Sequence, residues 1–324
     1  MNPPRDETID TGYRHPRDPV EIWLARQWQD VLGFAVGIRE NFFGVGGNSL
    51  DAARVIDAVL VEFGVQLPLN VLAERPTVES LASLLREHAE PLSGSLVAIQ
   101  DGDGSHPPLF LVHPDNGQVG PYCELAYALG EEFAVVGIQA AGLYSDSEPH
   151  RTVPAMAAAY TDAIRAVHPT GPYLLGGCAI GAATAYEMAA RLDDVRLLAA
   201  IDAGLLEPLD TVTESWLQEP PRQSDLSQIL ASWQERDLVA RDVAPEFVAR
   251  SLRVSRANRD AVRDWRPSPY TGTLDVFGPT TALPTTALPT TALPTTALPA
   301  TVLQRTHECG TDGQLADALR ELLG

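Results

Sequence analysis

One stretch constrains this chain more than any other: Tyr173 to Ala189, Y-L-L-G-G-C-A-I-G-A-A-T-A-Y-E-M-A. An apolar strand, Tyr173 to Leu175, runs into glycines, and an alanine-rich helix leaves them. A strand that turns directly into a helix in this way forms an elbow, G-x-nucleophile-x-G, which pushes one side chain out above the sheet. Backbone crowds the positions two before and two after the apex, so both must be small. Centring on Cys178 puts Gly176 before it but the β-branched Ile180 after it. Centring on Ala179 puts Gly177 and Gly181 at the two crowded places. The apex is therefore Ala179, and a methyl group cannot attack an ester. Two alternatives stand beside this reading. Cys178 is a nucleophile in an irregular elbow, since a thiolate accepts acyl groups well when a histidine takes its proton; or the stretch is a glycine-rich turn without chemistry.

With 324 residues the chain suits one small and one large domain. Its formal charge of −20 excludes nucleic acid and anionic membrane as partners, because both require basic surface. All 23 basic residues are Arg, which fits the codon bias of a GC-rich bacterial genome. Cys123, Cys178 and Cys309 lack paired spacing, as expected of reduced thiols in a cytoplasmic protein. There is no C-x-x-C and no histidine cluster, so no metal site is expected. No apolar run approaches a membrane span, and the first residues lack a signal-peptide core.

Residues 1–18 are polar and Pro-bearing and read as a linker. From Pro19 to Leu32 apolar residues recur at helical spacing up to Gly33. After N-F-F-G-V-G-G-N-S-L at 41–50, Ser49 opens a second helix with Leu50, Ala53, Val55, Ile56, Val59 and Leu60 on its apolar face. A short piece, Leu69 to Ala73, and a helix from Val78 to His88 complete a small four-helix bundle, which ends near residue 90. F-F-x-x-G-G-x-S-L resembles the peptidyl carrier domain of nonribosomal peptide synthetases. The resemblance implies that Ser49 carries a covalent 4′-phosphopantetheine, added by a phosphopantetheinyl transferase, and that upstream synthetase modules precede it. Read from the residues alone, a Ser at a helix N-terminus is a cap. Gly46-Gly47 keeps its hydroxyl bare, and a helix N-terminus also favours a phosphodiester anion. Asn48 departs from the family's usual His or Asp. Residues 1–90 hold 8 Arg against 14 acidic residues, net −6, which suits basic partners.

Residues 91–107 form a linker with a first short strand, Leu96 to Ile99. From 108 to 324 apolar strands alternate with helices, the pattern of a parallel sheet covered on both faces. The strands are read at Leu109 to His113, Phe133 to Ile138, the elbow strand, Val195 to Ile201, Thr273 to Phe277 and Thr301 to Gln304. Helices are read from Tyr122 to Leu129, Val153 to Val167, from the elbow to Leu192, and from Gln314 to Leu323. Residues of about 205–264 show amphipathic pieces without strands, longer than a crossover needs, and read as a helical lid. Four copies of T-T-A-L-P fill 280–299, where Pro in every fifth position forbids α-helix.

This second region resembles the type I thioesterases of peptide synthetases, α/β-hydrolases whose elbow reads G-P-Y-x-L-x-G-x-S-x-G-G-x-x-A-Y-E-M-A; here P-L-F-L-V-H-P and G-I-Q-A-A-G-L also match. The resemblance implies a mostly parallel sheet with a lid, and a triad in chain order: position 179, then Asp202, then His307. His307 would be the general base and Asp202 its orienting acid. The oxyanion donors would be the backbone N–H groups of Ile180 and Asp115. Ala182 replaces a usual Gly. His113, the rival histidine, suits a loop-shaping role. The implied function is release of a peptidyl thioester by hydrolysis or cyclisation, with the nucleophile replaced and the fold kept. The alternative from another class is a naturally inactive domain that only holds an acyl chain, against which intact Asp202 and His307 speak.

Overall fold

A computed structural model describes residues 13–88, 94–202, 223–278 and 303–323. Residues 1–12, the first part of the expected lid (205–222) and the T-T-A-L-P repeat lie outside the described residues. The chain divides into two compact units, Met1–Glu90 and Pro91–Gly324.

The first unit is helical: α1 (Pro19–Leu32), α2 (Ser49–Phe63), the single turn α3 (Val71–Glu74) and α4 (Val78–His88). Trp28, Phe42, Leu72 and Leu81 are wholly buried where the apolar faces meet. The end of the expected linker belongs to this unit. Asp18 caps α1, accepting from the N–H groups of Val20 and Glu21. Arg17 reaches Glu21 at 2.6 Å and Glu79 at 2.8 Å, and Arg86 reaches Asp18 at 2.6 Å. Glu21 is fully buried. Removing one member of such a network leaves an uncompensated charge inside, which costs about 3–5 kcal/mol.

In the second unit a seven-stranded sheet runs in the order β1-β3-β2-β4-β5-β6-β7. Its strands are β1 (Leu96–Gln100), β2 (Leu109–Val112), β3 (Val135–Ile138), β4 (Tyr173–Cys178), β5 (Val195–Ile201), β6 (Thr273–Gly278) and β7 (Leu303–Glu308). Only β1 pairs antiparallel, with β3; the remaining described pairs are parallel. The helices are α5 (Cys123–Leu129), α6 (Val153–Val167), α7 (Ile180–Ala189), α8 (Gln223–Glu235), α9 (Pro245–Arg263) and α10 (Asp312–Leu323). Every residue of α7 is buried, which explains its alanines: only small side chains let a helix lie this close to the sheet.

The chain leaves β2 towards β3 on one side and leaves β4 towards β5 on the other. Adjacent strands with diverging connections open a crevice at their carboxyl ends, where open α/β sheets hold ligands. The described lid helices α8 and α9 carry a core of their own, in which Leu226, Trp233, Phe247 and Leu252 meet Leu143. The last strand differs from expectation. It runs from Leu303 to Glu308 and contains His307 rather than ending before it, because each residue of β6 from Thr273 to Gly278 finds a partner there. Residues Leu303 to Thr306 and Glu308 are exposed on this edge strand, so no apolar alternation marked it.

Candidate active site

Ala179 is the single residue between β4 and α7. Its φ of 52° and ψ of −118° lie in territory that suits glycine, and holding an alanine there costs about 1–3 kcal/mol. A Cβ on Gly177 would stand 2.5 Å from the carbonyl carbon of Gly181, and one on Gly181 would stand 2.3 Å from the Val112 oxygen. The crowding therefore falls two residues either side of 179, and the turn is centred there.

Cys178, the last residue of β4, is 2% exposed, and burial pushes its thiol far above the ordinary range, with Asp115 and Asp202 adding repulsion. Its backbone N–H donates to the Tyr122 hydroxyl at 3.2 Å, which donates in turn to the Val112 carbonyl at 2.6 Å. This thiol keeps its proton, and the residue anchors the elbow to β2.

No side chain caps α7. The N–H of Ile180 at its first turn faces Asp115, whose Oδ1 lies at 3.5 Å. Burial raises the Asp115 carboxyl, while Arg259, at 3.8 Å, and the Ile180 N–H oppose that rise. The loops after β2 and β4, which carry the two backbone positions expected to flank an oxyanion, thus meet through the Asp115 side chain. His113 shapes the first of these loops. Its Nδ1 lies 2.8 Å from the Pro114 carbonyl and must be the donor, so Nε2, 2.9 Å away, accepts from the Tyr160 hydroxyl. Complete burial holds this histidine at about 4, hence neutral.

Asp202 follows β5 directly, one strand from the elbow, and its N–H donates to the Phe277 carbonyl at 2.8 Å. His307 is placed differently from the expected triad. Register aligns Cys178, Ile201, Phe277 and His307 in one row across the sheet. Three strand spacings put the His307 backbone about 14 Å from the elbow. Its ring stacks on Phe277, and its Nε2 lies 2.8 Å from Oδ1 of Asp275. Asp275 is 1% exposed and also takes Arg305 at 2.8 Å. The structure brings Asp115 to Ile180 but does not bring His307 to Asp202. Asp275 was missed at the sequence level; its signal is a lone carboxylate inside the apolar strand T-L-D-V-F.

In the first unit Asn48, not Ser49, caps α2. The Asn48 amide oxygen accepts from Leu50 at 2.8 Å and from Asp51 at 3.1 Å, and Asp51 returns a bond to the Asn48 N–H. Ser49 is exposed at the first helical position, its hydroxyl not used for capping. Gly47 is needed for close approach, since a Cβ there would come 2.5 Å from the Phe42 ring.

Comparison with known proteins agrees with both halves. The family model described as phosphopantetheine attachment site matches residues 23–85, and that described as thioesterase domain matches residues 107–203. Malpinin synthetase of Mortierella alpina is 32% identical over 264 residues, covering 80% of this chain and 3% of that protein. A dimodular nonribosomal peptide synthase of Bacillus subtilis (strain 168) is 35% identical over 195 residues, 59% of this chain and 8% of that protein. The chain thus spans less than a tenth of the length of these curated relatives. Among solved structures, a four-domain nonribosomal peptide synthetase bound to AMP and glycine superposes with a TM-score of 0.73 at 23% identity, covering 99% of this chain and 26% of that one.

Proposed function

The chain is a carrier–thioesterase didomain of the nonribosomal peptide synthetase type, with a carrier that takes a covalent 4′-phosphopantetheine, and from that premise we propose that it ends an assembly line by releasing a peptidyl thioester. Ser49 is the attachment residue, loaded by a phosphopantetheinyl transferase and served by upstream modules. The exposed, uncapping hydroxyl of Ser49 supports this assignment. The arm delivers the acyl group to position 179. There a hydroxyl or thiol would attack the thioester carbonyl, give its proton to His307, and expel the arm's thiol as that proton is returned. Water or an internal nucleophile of the peptide then cleaves the acyl-enzyme, giving hydrolysis or cyclisation. Ala179 stops this sequence before its first bond forms.

The observation that carries the reading is the elbow: a strained apex with crowded glycines on both sides and, behind it, an N–H held only by a long bond to Asp115. A pocket that only held acyl chains would have no use for that strain. The base must leave Asp275 and swing above the carboxyl ends of β5 and β6 to act with Asp202. A second reading is favoured by the 2.8 Å bond itself: Asp275 is the acid that orients His307.

The test has two arms. Coenzyme A and a promiscuous transferase should add one phosphopantetheine mass to this chain and none to Ser49→Ala; addition to Ser49→Ala would overturn the carrier assignment. Ala179→Ser should gain thioester hydrolysis about 10³-fold or more above the Ala179 protein, lost again with His307→Ala. Equal turnover by the Ala179 protein would show that the nucleophile lies elsewhere.

A further inference from the structure

The lid helix α9 carries polar residues on its buried side. Ser251, Ser255 and Asn258 are at most 2% exposed, interleaved with Phe247, Val248 and Val254. A buried amide left without partners is destabilising, because it has given up its hydrogen bonds to water. Asn258 finds one 143 residues away in sequence: its Nδ2 donates to the Asp115 carbonyl at 2.9 Å. From this we infer that Asn258 is a positioning residue for acyl transfer, holding the carbonyl of the residue whose N–H is the second oxyanion donor. The inference rests on the thioesterase reading above.

A peptide unit is planar and trans, so fixing its carbonyl fixes its N–H. The N–H of Asp115 belongs to the peptide whose oxygen is that of Pro114. This oxygen is held from one side by His113 Nδ1 at 2.8 Å and by the Gly117 N–H at 3.0 Å. Those bonds set the plane of the donor peptide, and the Asp115 N–H is spent on none of them. They hold Asp115 from its N-terminal side only, and Asn258 holds it from the other by gripping the Asp115 carbonyl, so that the loop cannot shift the donor peptide by turning about the Asp115 backbone bonds. Neighbouring residues of α9 close on the same loop. A Cβ on Gly117 would come 2.8 Å from Val254 Cγ1, and Arg259 lies 3.8 Å from the Asp115 carboxylate. The carboxylate in turn sits 3.5 Å from the Ile180 N–H, the first donor. The lid helix is thereby the third wall of the oxyanion site, beside the loops after β2 and β4. An oxyanion donor acts through preorganisation, and a donor free to rotate loses much of its effect on the transition state.

The test separates oxyanion chemistry from simple folding. In an Ala179→Cys background, alkylation by iodoacetamide forms no oxyanion, whereas acylation by a short-chain N-acetylcysteamine thioester does. The Ala179 protein, which retains Cys178, gives the background for both. Asn258→Ala should slow acylation about tenfold or more, with alkylation changed less than about twofold. Asn258→Gln, which keeps a donor, should recover part of the rate, and Asn258→Asp should not. Acylation unchanged in Asn258→Ala, or acylation and alkylation falling together, would overturn the inference. Failure of the Ala179→Cys parent to acylate at all would instead reject the thioesterase reading. The two failures are therefore distinguishable.

Discussion

Two helix N-termini in this chain follow glycine-rich turns, and they treat their unpaired N–H groups in opposite ways. At α2 the Asn48 side chain takes the Leu50 and Asp51 N–H groups, and Asp51 takes that of Asn48. The donors are spent, the backbone is relaxed, and what is left exposed is a side chain, Ser49, the proposed attachment residue. At α7 no residue of the turn caps, the apex residue is strained, and the N–H of Ile180 has only a long bond to a carboxylate from another loop, Asp115 Oδ1 at 3.5 Å. On the proposed reading the backbone there is the chemical group, and the side chain at the apex is the replaceable part. A tightly capped N-terminus presents a residue; a weakly held one can present a site.

The sharpest way to break this comparison concerns which carboxylate completes the unsatisfied site. In an Ala179→Ser background, Asp202→Asn should lower kcat by about 10³-fold or more, as loss of an orienting acid does, because the imidazole loses its tautomer and charge partner. Asp275→Asn, which loosens the His307 ring and the Arg305 ion pair but leaves Asp202 in place, should change kcat by less than about tenfold. If Asp275→Asn carries the large loss and Asp202→Asn the small one, Asp275 is the acid.

A second contrast is in acid sensitivity. An imidazole in the unfolded chain titrates near 6.5, and His113 in the folded unit is held at about 4 by burial, with His150 adding repulsion. Between these values the unfolded chain binds a proton that the folded unit refuses. Stability is therefore full above about pH 6.5 and is lost as pH falls toward 4, by about 3 kcal/mol in all. His15 in the carrier is also lowered to about 4, so the measurement compares the chain with His113→Gln, reading hydrogen exchange in the second unit alone. The variant should flatten the slope between pH 6.5 and 4; an unchanged slope would assign the acid lability to other groups.

Much of this was legible in the sequence, and the reasons differ between elements. Helix Val153–Val167 and strand Val195–Ile201 were readable to the residue because each presents one clean apolar period between turn residues. The elbow register was readable because glycine spacing reports backbone crowding, which is local. What escaped was set by partners distant in sequence. L-Q-R-T-H-E has no alternation, and only its register with β6 makes it a strand that swallows His307. Residues 13–18 looked like linker because Arg17 and Asp18 are polar; their burial depends on Glu21, Glu79 and Arg86. The capping role of Asn48 was hidden behind Ser49, since either residue type can cap, and only backbone geometry says which one does. Asn258 lies with Ser251 and Ser255 on the buried side of α9, and a polar residue there reads as an exception until its partner is known.

The smallest effect tests the comparison directly, because it predicts opposite signs at the two helix starts. Asn48→Ala removes the acceptor for two N–H groups and should destabilise the carrier by about 1 kcal/mol. Ala179→Gly removes a Cβ from a backbone conformation that disfavours it. The relief there is about 1–3 kcal/mol. Against it stand about 0.5–1 kcal/mol for the greater freedom of glycine in the unfolded chain and the loss of one buried methyl group. With about 0.8 kcal/mol for the methyl group, the middle of these ranges gives stabilisation of the second unit by about half a kcal/mol. Hydrogen exchange resolved by peptide in the intact chain reads both units at once. Protection should fall around α2 in Asn48→Ala and rise around α7 in Ala179→Gly. A fall at both would mean that the Ala179 methyl packs better than its dihedral angles imply, and the elbow would then be an ordinary turn with no strain held for chemistry.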